Sequence, residues 1–111
     1  MERPKMSELT EKNVAQYVNT KVRVSGAAAA EPVELEIVEV KGYHSGPSEQ
    51  DGMERFSIFL QGPAEALLPQ NTYTLEHEGM GSHQLFMVPV ARNERGFRYE
   101  IVFNYFRKSD E

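Results

Sequence analysis

Alternation of apolar and polar residues with a period of two recurs along most of this chain, and it leaves few folds open. "KVRVSG" (Lys21–Gly26), "VELEIVEV" (Val33–Val40), "RFSIFLQ" (Arg55–Gln61), "TYTLEH" (Thr72–His77), "HQLFMVPV" (His83–Val90) and "FRYEIVFNYF" (Phe97–Phe106) each place apolar side chains on one face of an extended segment. Runs of this kind, joined mostly by short Gly-containing turns, predict an all-β protein: an antiparallel small barrel or sandwich of about six strands. In "VELEIVEV" the apolar positions run Val33, Leu35, Ile37 and then change phase to Val38 and Val40, the trace that a β-bulge leaves in a sequence. "AAAAEP" reads as a loose connection, because Pro32 ends it within one turn. "GYHSGPSEQDG" (Gly42–Gly52) reads as a polar loop.

A single stretch has helical spacing. Thr10 is placed to cap it, Glu11 favours its first turn, and Val14, Tyr17 and Val18 share a face. Leu9 and Val14 stand at the two positions of a hydrophobic staple. The spacing predicts one short N-terminal helix between about Thr10 and Val18, too short to hold without something to pack on.

With 111 residues the chain suits one domain, read here as 9–107 with flexible ends at 1–8 and 108–111. The absence of cysteine removes disulfides, thiolate metal sites and thiol nucleophiles together. A net charge of -5, with the basic residues scattered among acids, argues against nucleic acid as a partner. No apolar run approaches the roughly 18 residues of a membrane span. "MERPKMSELTEKN" has no hydrophobic signal-peptide core, so a cytoplasmic protein without a membrane partner is expected.

Catalytic constellations are hard to assemble. "GYHSG" (Gly42–Gly46) has the outline of a nucleophile elbow, but His44 stands where the serine belongs and no helix follows. The glycines form no phosphate-binding loop. Glu34 and Glu36 alternate outward from Val33, Leu35 and Ile37, so with Glu39 they read as a solvated strand face. Glu100, between Tyr99 and Ile101, is expected to face a Lys or Arg on a neighbouring strand as a structural charge pair rather than to act as a general acid or base.

Facing on the last three strands depends on register. Closing the final hairpin around Arg92–Arg95 sets Val90 against Phe97, Val88 against Tyr99 and Phe86 against Ile101, which gathers the aromatic and β-branched residues on one face. Tyr73 and Leu75 then join that face opposite Val88 and Phe86, and His77 and His83 point to opposite sides. A one-residue slip would instead bring the two histidines together, the beginning of a metal site, although no third ligand is fixed by spacing. In the preferred register Phe56, Tyr73, Phe86, Tyr99 and Phe103 line the inside, either as core or as the wall of a ligand-binding barrel. Leu85 and Met87 then point outward, as do Val102 and Phe106. These four make a candidate interface, unless the N-terminal helix covers it through Val14, Tyr17 and Val18.

In "LQGPAEALLPQNTYTLEH" (Leu60–His77), Pro63 suits the first position of a helical turn and Pro69 stops it after Leu68. With Leu67 and Leu68 but no nucleophile, this segment reads as a lid that buries its leucines over an open end of the fold. The same residues carry a resemblance. "FSIFLQGP…LLPQNTYTLEHEGMGSHQLFMVPV…RYEIVFN" resembles a bacterial family known only as a domain of unknown function, marked by F-S-L-x-F-x-G-P, L-P-Q-G-T-Y, L-E-H and Y-E-A-x-F-N. The likeness covers about Val33 to Asn104. Asn71 replaces the usual glycine and Ile101 the usual alanine, so the turn and the packing of the last strand are where this chain should differ. The resemblance implies no activity or catalytic residue, and at most an accessory place in a phage-tail-like assembly. The residues and the resemblance together suggest a non-enzymatic module with no cofactor and no bound metal, working through a protein partner or self-association. A small-ligand-binding β-barrel is the second expectation.

Overall fold

Six antiparallel strands close into a barrel in the order β1-β2-β3-β6-β5-β4, with β4 pairing back onto β1, in a computed structural model that describes residues 9–26, 29, 31–43 and 53–106. The strands are β1 (Lys21–Ser25), β2 (Val33–Gly42), β3 (Met53–Pro63), β4 (Asn71–His77), β5 (Gly81–Asn93) and β6 (Gly96–Phe106), preceded by one short helix, α1 (Glu11–Ala15). The proposed ends 1–8 and 108–111, Ala27, Ala28 and Ala30 of the AAAAEP connection, and the loop from His44 to Gly52 lie outside the described residues.

The alternating pattern becomes an inside and an outside. Val22, Val24, Leu35, Ile37, Phe56, Ile58, Leu60, Tyr99 and Ile101 are all buried in one core, and Phe56 stacks on its cross-strand partner Phe103 with ring centroids 4.5 Å apart. The bulge falls where the phase of β2 changes. Ile37 pairs with Leu60 and Glu39 with Phe59, leaving Val38 as the extra residue.

Each end of the barrel is stopped by a different part of the chain. At one end, α1 is capped as its sequence dictates: Thr10 Oγ1 accepts from Asn13 N at 3.1 Å, and Leu9 and Val14 are both buried. The helix is shorter than its spacing predicts, because turns replace it after Ala15 and Asn19 takes a left-handed φ of 77°. That turn lets Asn19 N donate to Ile37 O and Thr20 O accept from Ile37 N, which fastens the connection to β2. Tyr105 adds a bond from its hydroxyl to Leu9 O at 2.6 Å.

At the other end lies the segment between the two prolines. Leu68 is buried, whereas Leu67 is 54% exposed, so only one of the two leucines enters the core. Two tyrosines from inside the barrel hold the segment. Tyr73 donates its hydroxyl to Pro69 O at 2.6 Å, and Tyr99 Oη accepts from Leu68 N at 3.0 Å. Pro63 ends β3 rather than opening a helical turn, because it pairs across the sheet with Gly96.

The register of β5 differs from the expected one. The final hairpin has a two-residue turn, Glu94–Arg95, closed by Asn93 Oδ1 accepting from Arg95 N and Gly96 N. Arg92 therefore meets Phe97, and a bulge between Pro89 and Ala91 brings Pro89 opposite Tyr99 and Val88 opposite Glu100. Only glycine fits position 96, where φ is 139° and a Cβ would collide with the Gly62 carbonyl oxygen. The β4–β5 turn agrees: Tyr73 meets Leu85 and Leu75 meets His83. Every side chain of β5 is thereby turned over relative to the expected register, since a shift of one residue exchanges the faces of a strand. Leu85 and Met87 point inward. Phe86 and Val90 point outward, at 53% and 45% exposure.

Candidate functional site

The inverted facing of β5 redraws the candidate interface. Leu85 and Met87 belong to the core and cannot offer an outer surface. Val102 does, at 63% exposure. Phe106 lies opposite Met53 at the end of β6, and its side chain falls outside the described part. The outward residues of β5 that replace Leu85 and Met87 are Phe86 and Val90, with Val88 half-buried between them.

This strip has two physical peculiarities. First, most of it is uncharged: the outward positions Ser82, Gln84, Phe86 and Val88 on β5, with Val90 at the bulge and Val102 and Asn104 on β6, carry no charge in a chain that is 26% charged, and Glu100, opposite Val88, borders them. Second, the β5–β6 ladder runs from Asn93–Gly96 only as far as Val88–Glu100. Beyond that pair the strands stop bonding to each other, and Phe86 and Val102 stand on either side of the seam. Leu9 lies behind it, lining an interior void with Gly81, His83, Leu85, Ile101 and Phe103. The helix does not cover the strip. It packs into the barrel mouth and against β2 and β3 instead.

That void has a volume of about 10 Å³, room for about one water-sized sphere and no more. Phe56, Tyr73, Tyr99 and Phe103 fill the interior as expected, but Phe86 is outside it. Among the described residues the barrel interior is filled by its own side chains, and the larger cavity lies outside it, at the mouth between Leu9, Val14, Tyr17 and Met80.

The two histidines share the interior face, contrary to the expectation that they would diverge: each is 9% exposed. Their nitrogens are already engaged. His77 Nδ1 accepts from Gly79 N and Met80 N, and Nε2 lies 2.8 Å from Thr20 Oγ1. His83 Nε2 bonds to Met80 O at 2.8 Å. Burial holds the His77 imidazole below the usual histidine range, with Glu78 pulling weakly the other way. Among the described residues no group of three or more His, Asp or Glu could hold a metal ion.

Among the described residues Glu100 meets no cation. Its Oε2 accepts from Ser57 Oγ at 2.6 Å, and the Tyr43 hydroxyl lies 3.1 Å from that serine oxygen and 3.4 Å from the carboxylate. Ser57 is fully buried under this arrangement, so its hydroxyl is out of reach of a substrate; the trio ties the end of β2 to β3 and β6. The cations go elsewhere. Arg98 pairs with Glu39 while lying over the Phe59 ring, Arg95 bonds Glu36 at 3.0 Å, and Lys21 lies 3.9 Å from Glu34. The glutamates of β2 are thus outward, as their alternation predicts, and each is paired. His44 and Ser45 of the GYHSG stretch lie outside the described residues.

A family model described as a domain of unknown function, DUF6916, matches residues 9–103. The chain belongs to the DUF6916 family. The match takes in α1 and all of β1 to β5, so the capped helix and the seam are parts of the family's domain rather than additions to it. No curated protein and no solved structure matches the chain. The phase of β5 is the reverse of the one its alternation predicts, and the feature that sets it is an Asn-x-x-Gly turn that fixes a two-residue loop, with Pro89 beside the bulge.

Proposed function

We propose that this DUF6916 protein is a non-catalytic interaction module that docks another protein chain on the outer strip of β5 and β6. The observation that carries this reading is the pairing of Phe86 and Val102, both more than half exposed, across a seam where the two strands no longer bond to each other. Exposed apolar residues on neighbouring strands suit a protein surface, and strand edges beyond the end of their shared ladder suit an extended segment of a partner. The full interior favours this over a ligand-binding barrel. A phage-tail-like assembly is the setting that the sequence resemblance suggests for such a partner.

The test is photo-crosslinking in the cell of origin from a benzoylphenylalanine placed at position 102. A discrete adduct of constant mass, lost when Phe86→Glu is added, supports the docking strip. Light scattering of the purified protein tells whether the adduct is a second copy. No adduct, or one that survives Phe86→Glu unchanged, overturns the proposal.

A further inference from the structure

The α1 end of the barrel holds a second built cluster, centred on His77 and independent of the β5–β6 strip. Its hydrogen bonds define the protonation of the ring. Two backbone N–H groups, Gly79 at 2.8 Å and Met80 at 3.1 Å, point at Nδ1, so that nitrogen carries a lone pair. Thr20 Oγ1 gives its proton to Tyr17 O at 2.6 Å, which leaves an oxygen lone pair for His77 Nε2–H at 2.8 Å. The neutral ring therefore has one proton, on Nε2, and joins two elements: the β4–β5 turn on one side and the α1–β1 connection on the other. Tyr17 adds an edge-on ring contact with centroids 4.7 Å apart. Gly79 makes room for it, since a Cβ there would lie 2.5 Å from Tyr17 Cε1.

A second proton has no place in this arrangement. On Nδ1 it would face two donors and cost both of their hydrogen bonds, besides leaving a charge in an apolar setting. The groups around the ring offer little relief. Glu78, on the turn itself, is the nearby acid. From the α1–β1 connection comes the Tyr17 ring, and from β5 His83, which is held to Met80 O. Arg23 of β1 and Glu76 of β4 pair with each other in register at outward positions.

We propose that His77 is an acid-operated latch: a second proton on its ring frees the α1–β1 connection from the β4–β5 turn and uncovers the apolar barrel mouth at Leu9, Val14 and Met80 before the barrel itself unfolds. The sign follows from linkage. Because the folded ring resists protonation, the latch holds fully above the ordinary histidine value of 6.5 and loosens as pH falls from there through the lower folded value. Between those two values the opening equilibrium rises about tenfold per pH unit.

Hydrogen exchange followed by NMR, corrected for the intrinsic pH dependence of exchange, tests this between about pH 7.5 and pH 5. Protection of the Val14, Tyr17, Gly79 and Met80 amides should fall as pH drops below 6.5, at up to about tenfold per pH unit, while the β3–β6 ladder keeps its own. The midpoint should coincide with the ring titration of His77, read from its imidazole nitrogens, and not with that of His83. His77→Asn, which keeps an acceptor but does not titrate, should abolish the pH dependence. Should that variant not fold, the wild-type titration decides alone. Protection unchanged across this range, a midpoint that tracks His83, or loss of protection throughout the barrel at once overturns the latch.

Discussion

The amide of Leu68 donates to the hydroxyl oxygen of Tyr99 at 3.0 Å, so the segment that stops one end of the barrel is fastened to a side chain rising from inside it. Tyr99 is fully buried and its own hydroxyl proton points toward Ala66 O at 3.4 Å. Removing that oxygen leaves the Leu68 N–H buried without a partner, which costs more than the bond itself contributes. Tyr99→Phe should therefore lower stability by about 1–3 kcal/mol. Leu68→Ala should cost about 2–5 kcal/mol, because it empties a site in the core. Urea midpoints of the two variants check both, and a Tyr99→Phe midpoint equal to that of the wild type would show that the fastening contributes nothing.

The same tyrosines predict behaviour at high pH. Burial raises Tyr73 and Tyr99 above the usual phenol value of 10.0; the Tyr73 shift is reinforced by Tyr99, while the Leu68 amide opposes it weakly at Tyr99. A raised value means that folding favours the protonated form. The corresponding stability is complete below 10.0 and is lost as pH rises through the folded values. Urea midpoints should thus hold steady to about pH 9.5 and then fall, and Tyr73→Phe should flatten the fall. Ultraviolet titration of the phenolates gives the independent check, since Tyr73 and Tyr99 should ionise late and Tyr73→Phe should remove part of the late component.

How much of this was legible in the sequence follows from which signals are local. Strand identity survives because period-two alternation in six segments needs no knowledge of partners. The bulge of β2 survives for the same reason, as Val38 interrupts the alternation within its own strand. The facing of β5 does not survive, because "HQLFMVPV" is apolar on both sides and either phase satisfies the pattern. What decides it is the turn at Asn93 together with the bulge next to Pro89, at the far end of the strand from Leu85 to Met87 and not visible in the alternation. The candidate interface inherits that ambiguity: the clear alternation of β6 predicts Val102 outside, where it lies, whereas the two-sided pattern of β5 predicts Leu85 and Met87 outside and the structure buries both. The roles of Thr20 and Ser57 were illegible for a different reason. Each depends on a partner 57 or 43 residues away, His77 and Glu100 respectively.

Helix α1 gives a prediction on the local side of that divide. Its five residues have little stability of their own, so the Thr10 cap and the buried pair Leu9 and Val14 hold it in place. Thr10→Ala should cost about 1 kcal/mol, and Thr10→Ser should restore most of that. The loss should appear first as faster exchange of the Asn13 amide, which the Thr10 hydroxyl oxygen accepts at 3.1 Å. Equal protection of that amide in the alanine variant would mean that the cap bond is not formed in solution.

The facing of β5 can be decided by placing a charge at two adjacent positions. Met87 is fully buried and Phe86 is 53% exposed, although nothing in their own chemistry separates them so sharply. A glutamate at position 87 would carry a carboxylate into a core whose void of about 10 Å³ has no room for hydrating water and whose lining is almost wholly apolar. Several kcal/mol is a large part of the roughly 5–15 kcal/mol that holds a domain of this size together. Met87→Glu is therefore expected to unfold the protein or to leave it folded only at acid pH, where the carboxyl is neutral. At position 86 the carboxylate stays in water. Its cost is the lost contact of a half-exposed ring, about 1 kcal/mol, and cooperative unfolding should persist. Circular dichroism and thermal melts of the two variants side by side give the answer. A stable Met87→Glu beside an unfolded Phe86→Glu would mean that β5 sits one residue over, with Phe86 inside, and the outer strip would then have to be sought among Leu85, Met87 and Val102.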